Sequence, residues 1–156
     1  MSHPLTLEEL TTVVAERFRS GPPNGWLLGW DASRCSERLR DAVAPYDLVN
    51  CTSFDYSFCN WYEVRFNRHR REAFWTLTAK LSFVAPAYCM HWNTAAPAAP
   101  AESQHVESNL RTELERAGFF ELPVEWSELA VPNVQLELSG ARNVTLSKCL
   151  FCDYDG

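Results

Sequence analysis

The sequence predicts an α+β fold with a largely antiparallel sheet, on three observations. Two stretches around residues 60–83 alternate apolar and polar side chains with the two-residue period of half-buried strands, and a charged turn separates them. Helical stripes precede them and return near residue 110. Alternation reappears after residue 134 around a glycine-containing loop.

Taken in order, Thr6-Leu7-Glu8-Glu9 has the form of a capping box, in which the Thr6 hydroxyl and the Glu9 carboxylate satisfy opposite backbone amides. Leu10, Val13, Val14 and Phe18 follow as one stripe, so a first helix is expected over Leu7–Arg19, stopped by Gly21-Pro22-Pro23-Asn24-Gly25. Trp26 to Trp30 is a short apolar bridge without a period. Capped by Asp31 or Ser33, a second helix is expected to place Cys35, Leu39, Ala42 and Val43 inward and Arg34, Arg38 and Arg40 in water, and to end before Pro45. A strand over Tyr46–Ser53 then leads to the central hairpin. Its first strand turns Tyr62, Val64 and Phe66 to one face, and its second turns Trp75, Leu77, Ala79, Leu81 and Phe83 to one face. After Pro86, Tyr88–Trp92 reads as a further strand, or as the second hairpin strand continued past a bulge.

The Ala/Pro run at residues 95–101 reads as an exposed connector. Val106, Leu110, Leu114 and Ala117 make the next helical stripe, which Gly118 is placed to stop in the left-handed conformation. Trp126 is expected to anchor the irregular segment after it. Val134–Leu138 and Val144–Lys148 alternate around Ser139–Asn143, which predicts a C-terminal hairpin. The expected organisation is therefore one domain over residues 1–156: two N-terminal helices, several strands, one further helix and a closing hairpin.

A chain of 156 residues can bury roughly two-thirds of its unfolded surface, and 46% hydrophobic against 22% charged residues is an ordinary globular balance. The first residues carry no basic and apolar signal segment, and no run reaches the roughly 18 apolar residues that span a bilayer. The expectation is a soluble, cytoplasmic protein with no membrane partner and with its six cysteines reduced and mostly buried. Residues 1–101 hold 10 acids and 10 bases, whereas residues 102–156 hold 10 acids and 4 bases, so the whole net charge of −6 lies in the last third. That distribution argues against a general nucleic-acid binder and suits a basic protein partner.

The chemical motifs are sparse. Cys149-Leu150-Phe151-Cys152 has the redox spacing, but no helix follows to stabilise a thiolate, and no second ligand pair completes a zinc site, so core cysteines on a terminal strand are the plainer reading. Asp153 and Asp155 before Gly156 lack the further ligands of a calcium loop. No metal or cofactor is expected. His91, between Met90 and Trp92, is the first candidate for a general base, with a carboxylate brought from elsewhere in the chain; this defines an alternative, a small hydrolase-type enzyme with a site assembled from distant residues. Arg65, Arg68, His69, Arg70 and Arg71 form a basic hairpin tip, read as solvated. A structural component of a larger assembly, using an exposed hairpin edge, is a third alternative.

An acidic α+β domain without a catalytic signature, closing in an antiparallel hairpin over Val134 to Asp155, resembles the small cytoplasmic immunity proteins of bacterial toxin–immunity systems. The resemblance lies in general organisation. It implies a non-catalytic binding protein that neutralises a toxin by occluding a basic surface or active cleft, with a cognate toxin domain as the partner. From the residues themselves, Glu121, Glu125, Glu128, Glu137, Asp153 and Asp155 are expected to steer a basic partner, and Trp126 and Tyr154 to supply buried anchors.

Overall fold

The computed structural model describes residues 4–23, 29–54, 57–66, 75–94, 101–136 and 144–153, with backbone alone at 75, 93, 94 and 101–103. Helix α1, Leu7–Arg17, begins at the predicted capping box: Thr6 Oγ1 accepts from the Glu9 amide at 3.1 Å, and Glu9 Oε1 accepts from the Thr6 amide at 3.0 Å. Helix α2, Ser36–Val43, starts later than either predicted cap allows. Asp31 instead accepts from the Ser33 amide in a local turn, and Cys35, with φ of 65°, turns the chain into the helix without a side-chain cap.

Strands β1, Asp47–Asn50, β2, Cys59–Arg65, β3, Trp75–Ser82, and β4, Ala87–Thr94, form consecutive antiparallel pairs. The two-residue strand β5, Phe120–Glu121, adds to β4 in parallel, giving a five-stranded, mostly antiparallel sheet in the order β1-β2-β3-β4-β5. Helix α3, Ala101–Arg116, takes in Ala101, the last residue of the predicted connector, and the connector's residues 95–100 lie outside the described residues. Gly118 follows at φ of +97°, the left-handed stop that the sequence indicated.

Alternation decides what each sheet face meets. Tyr62, Val64, Leu77, Ala79, Leu81 and Tyr88 turn to one face and are buried against Leu39 and Val43 of α2 and Val106, Leu110 and Leu114 of α3. Cys59, Trp61, Lys80 and Cys89 turn to the other. There, Leu10 and Val14 of α1 and Phe18 at its C-terminal cap join Phe120, Leu122, Val131, Val134 and the C-terminal Leu146, Cys149, Leu150 and Phe151 in a second cluster that includes Cys59, while Trp61 and Cys89 pack against it. Burying a Leu- or Phe-sized side chain contributes about 1.5–3 kcal/mol, so these two clusters are the principal favourable term.

The closing hairpin is corrected. Val144–Lys148, predicted as its second strand, is instead the start of a helical turn, α5, Leu146–Leu150, capped by Thr145 Oγ1, which accepts from the Lys148 amide at 3.2 Å. The apolar positions at 146, 149 and 150 fit a helical stripe as well as the alternation 144, 146 fits a strand, and packing against α1 decides for the helix. Ala130 and Thr145 form an isolated antiparallel bridge, and much of the expected loop and first strand, residues 137–143, lies outside the described residues. The segment Trp26 to Leu28 and the basic tip from Arg68 to Arg71 also lie outside them. Among the described residues, no helix is long and apolar enough to cross a membrane.

Candidate partner-binding surface

The chain leaves β5 at Glu121, turns at Pro123 and makes one turn of helix, α4, Val124–Ser127. Leu122 and Val131 are buried on either side of this turn, and Trp126 is half-buried against the same cluster. Backbone bonds from the Trp126 amide to the Pro123 carbonyl, at 3.0 Å, and from the Leu129 amide to the Trp126 carbonyl, at 3.1 Å, fix its course. Residues two apart on a helix point in nearly opposite directions, so anchoring Trp126 inward drives Val124 outward. Val124 is 84% exposed and Leu129 39%; among the described residues these are the exposed large apolar side chains. Glu125 and Glu128 are exposed beside them and make no ion pair with any described residue.

Of the eight residues expected to bind a partner, the structure brings Glu125, Trp126 and Glu128 together on this turn. Glu121 stands at its base with its charge already engaged: Arg111 Nε donates to its Oε2 at 2.8 Å and Nη2 to its Oε1 at 3.3 Å, while the Tyr88 hydroxyl donates at 3.4 Å. Glu107, at 3.1 Å, completes the arrangement around Arg111, whose pKa is raised first by the hydrogen bond to Glu121. Asp153 is only 1% exposed and packs at the end of the terminal segment; it is therefore not the solvated carboxylate that a position near the chain end suggested. Glu137, Tyr154 and Asp155 lie outside the described residues. Val124 and Leu129 escaped the sequence reading, because neither belongs to a periodic run; only the inward role of Trp126, combined with a helical turn after Pro123, points Val124 to solvent.

His91 is exposed on β4, in a cross-strand row with Thr78 and Glu63. Its pKa is lowered by partial loss of hydration and then by the Lys80 ammonium, while Glu63 pairs with Arg65 at 3.4 Å. The row thus separates His91 from Glu63 by a full strand. The cysteines of Cys149-Leu150-Phe151-Cys152 are both buried, Cys149 on α5 rather than on a strand and Cys152 bridged to Ser57. Burial pushes the Cys149 thiol up to about 12, and Cys59 beside Cys152 is also raised, first by their thiol–thiol hydrogen bond; neither environment favours a thiolate. No group of three or more His, Cys, Asp or Glu among the described residues is placed to hold a metal ion.

Arg34 is the second correction. It was expected in water on the outer side of α2, but it lies before the helix and reaches the ends of the central strands β2 and β3. Its Nε donates to Asn60 Oδ1 at 2.8 Å and its Nη2 to the carbonyls of Leu81, at 2.8 Å, and Ser82, at 3.0 Å, with the guanidinium 3.7 Å above the Phe83 ring. It also lines an open groove of about 820 Å³ with Cys35, Arg38 and Phe119. These bonds satisfy buried carbonyls, so the plain role of Arg34 is to fasten the 31–35 segment to β2 and β3.

No protein-family model matches this chain, and no curated protein or solved structure matches it either.

Proposed function

We propose that this protein is a non-catalytic acidic binding protein of the immunity type, which neutralises a basic partner, by analogy a toxin domain, by covering a basic surface or active cleft. The observation that carries the reading is the presented pair Val124, 84% exposed, and Leu129, flanked by the carboxylates of Glu125 and Glu128, which pair with no described residue. Interfaces draw most of their energy from a few apolar anchors that become desolvated, while surrounding charges set association rate and partner choice. A turn with both features, held from below by Trp126, suits a basic target with an apolar recess. The excess of 10 acids over 4 bases in residues 102–156 extends the same field around it.

The test uses the whole chain as an affinity bait in extracts of its native cell, beside the variants Val124→Asp and Glu125→Lys/Glu128→Lys. A basic protein captured stoichiometrically by the native chain should be lost with Val124→Asp. The double charge reversal should slow its association about tenfold or more at low salt, with a shallower salt dependence. Capture that survives both variants, or a captured partner of acidic surface, would reject the proposal.

A further inference from the structure

The chain enters α2 and leaves α3 at one open groove of about 820 Å³, whose walls include Ser33, Arg34, Ser36, Glu37, Arg38 and Phe119. It shares no residue with the turn at Val124–Ser127. A groove of this size admits a small organic ligand. Its two cations are held differently. Arg34 is fixed: Nε and Nη2 donate to Asn60 Oδ1 and to the Leu81 and Ser82 carbonyls, and the Tyr62 hydroxyl donates to the Arg34 carbonyl at 2.7 Å. Its guanidinium lies 3.7 Å from the centre of the Phe83 ring and 5.0 Å from that of Phe119. Every acceptor on it is neutral, and among the described residues no carboxylate pairs with it. Burial lowers its pKa, so the loss of hydration outweighs what nearby groups such as Asp31 return. Arg38 is held loosely: its side chain is 52% exposed and 3.9 Å from Glu113, and Glu113 keeps Arg116 at 3.0 Å whether or not Arg38 stays.

A half-buried guanidinium with only neutral acceptors gains more from an added counter-charge than an exposed one does, because water screens the attraction less. We infer that this groove binds the oxyanion group, a carboxylate or a phosphate, of a small acidic molecule, with Arg34 as the fixed cation and Arg38 as the one that closes on it. The oxyanion would accept from Arg34 Nη1, which is not used in its bonds to Asn60, Leu81 and Ser82, and from the fork of Arg38. Planar guanidinium donors match two oxygens of one such group. The Ser33 and Ser36 hydroxyls stand beside them as further donors. Little is lost on binding. Arg34 is already immobilised by its three bonds, and the exposed 3.9 Å contact that Arg38 gives up contributes little to stability. Glu37, exposed on the rim, opposes any anion and keeps the expected affinity in the millimolar range.

The test follows the Arg34 Nε–H and the Cys35 and Ser36 backbone amides of the whole chain by two-dimensional nitrogen–proton resonance spectroscopy. The probes are acetate and inorganic phosphate at constant ionic strength, with chloride as the balancing salt and the comparison. A saturable shift in the millimolar range, beyond that seen with chloride, supports the site, and the tighter of the two probes identifies the group. Arg38→Met should weaken that binding about tenfold, the loss of one charge-assisted contact. Glu37→Gln removes the opposing charge of the rim and should tighten it about threefold at low salt. If Arg38→Met does not fold, Glu37→Gln carries the test alone. A response no greater than that to chloride marks an adventitious ion only. That result, absence of a saturable shift, or unchanged affinity in either folded variant would overturn the assignment.

Discussion

Replacing Arg34 with methionine removes three hydrogen bonds without removing the apolar stem. The affected acceptors are Asn60 Oδ1 at 2.8 Å, the Leu81 carbonyl at 2.8 Å and the Ser82 carbonyl at 3.0 Å, and Asn60 is fully buried. A hydrogen bond from a charged donor contributes about 1.5–3 kcal/mol, and a buried acceptor left unpaired costs about 1–3 kcal/mol. Arg34 is half-buried and burial lowers its pKa, so desolvation already opposes part of this gain. Discounting the sum for the desolvation and partial exposure of the guanidinium leaves about 3 kcal/mol, a large share of the roughly 5–15 kcal/mol available to a domain. With a slope of about 2 kcal/mol/M, the urea midpoint should fall by roughly 1.5 M. Arg34→Lys retains charge but not the planar fork and should lose about two-thirds as much. Arg38→Met is the control: Arg38 meets Glu113 at 3.9 Å with its side chain 52% exposed, so the change should stay within about 0.5 kcal/mol. Equal midpoints for the Arg34 and Arg38 variants, with unchanged slopes, would refute the anchoring role.

Thiol chemistry gives a second check: in the native state an alkylating reagent should modify exposed Cys51 first, while Cys59, Cys149 and Cys152 react only on unfolding, as intact-mass time courses would show. Alkali should destabilise the fold, because burial raises Cys89 and Cys149 from 9.0 to about 12 and Tyr62 from 10.0 to about 12. The unfolded chain loses these protons first, so their stabilisation is complete below about pH 9, falls by at most about 1.4 kcal/mol per pH unit for each thiol above it, and is exhausted beyond about pH 12. Urea midpoints that stay level between about pH 8 and about pH 10.5 would contradict this. Gly118→Ala should cost about 1 kcal/mol although a Cβ there meets nothing within 4 Å, since the whole penalty lies in holding alanine at φ of +97°; a neutral thermal midpoint would refute it.

The capping box, the central strands and the Gly118 stop were legible because each is specified by neighbours in sequence. Thr6 and Glu9 lie three residues apart, and the strand faces follow from strict alternation. The last third was not legible in the same way. Val144, Leu146, Cys149 and Leu150 satisfy a strand's period at one end and a helix's at the other, so the choice depends on Leu10 and Val14, more than a hundred positions away, which offer a surface for a helical face. Arg34 was misplaced for a related reason. Its spacing from Arg38 suggests a shared wet face, but the chain enters α2 through a left-handed Cys35, and a residue before that turn does not share the helix's faces. Asp153 shows the same limit, because nearness to the end of a chain says nothing about what packs over a carboxylate.

This dependence on distant partners bears on the proposed surface. The turn at Val124–Ser127 has almost no ladder of its own, since only Phe120 and Glu121 pair with β4 before it. Yet Leu122 and Val131 are buried on both sides of the turn, and Trp126 packs against the same cluster from within it. The exposure of Val124 is thus imposed by three inward anchors and is not that of a frayed end. A side chain presented in this way has already lost much of the freedom that binding would otherwise have to remove, so more of its apolar contact appears as affinity. The arrangement also separates two effects that a partner measurement can resolve. Truncating Val124 changes what the partner meets while leaving the anchors intact, whereas truncating Trp126 removes a support and changes stability as well as presentation. Binding lost in Val124→Ala at unchanged stability is therefore the signature of a contact made by that side chain, and binding lost only with Trp126→Ala would place the importance of the turn in its folding.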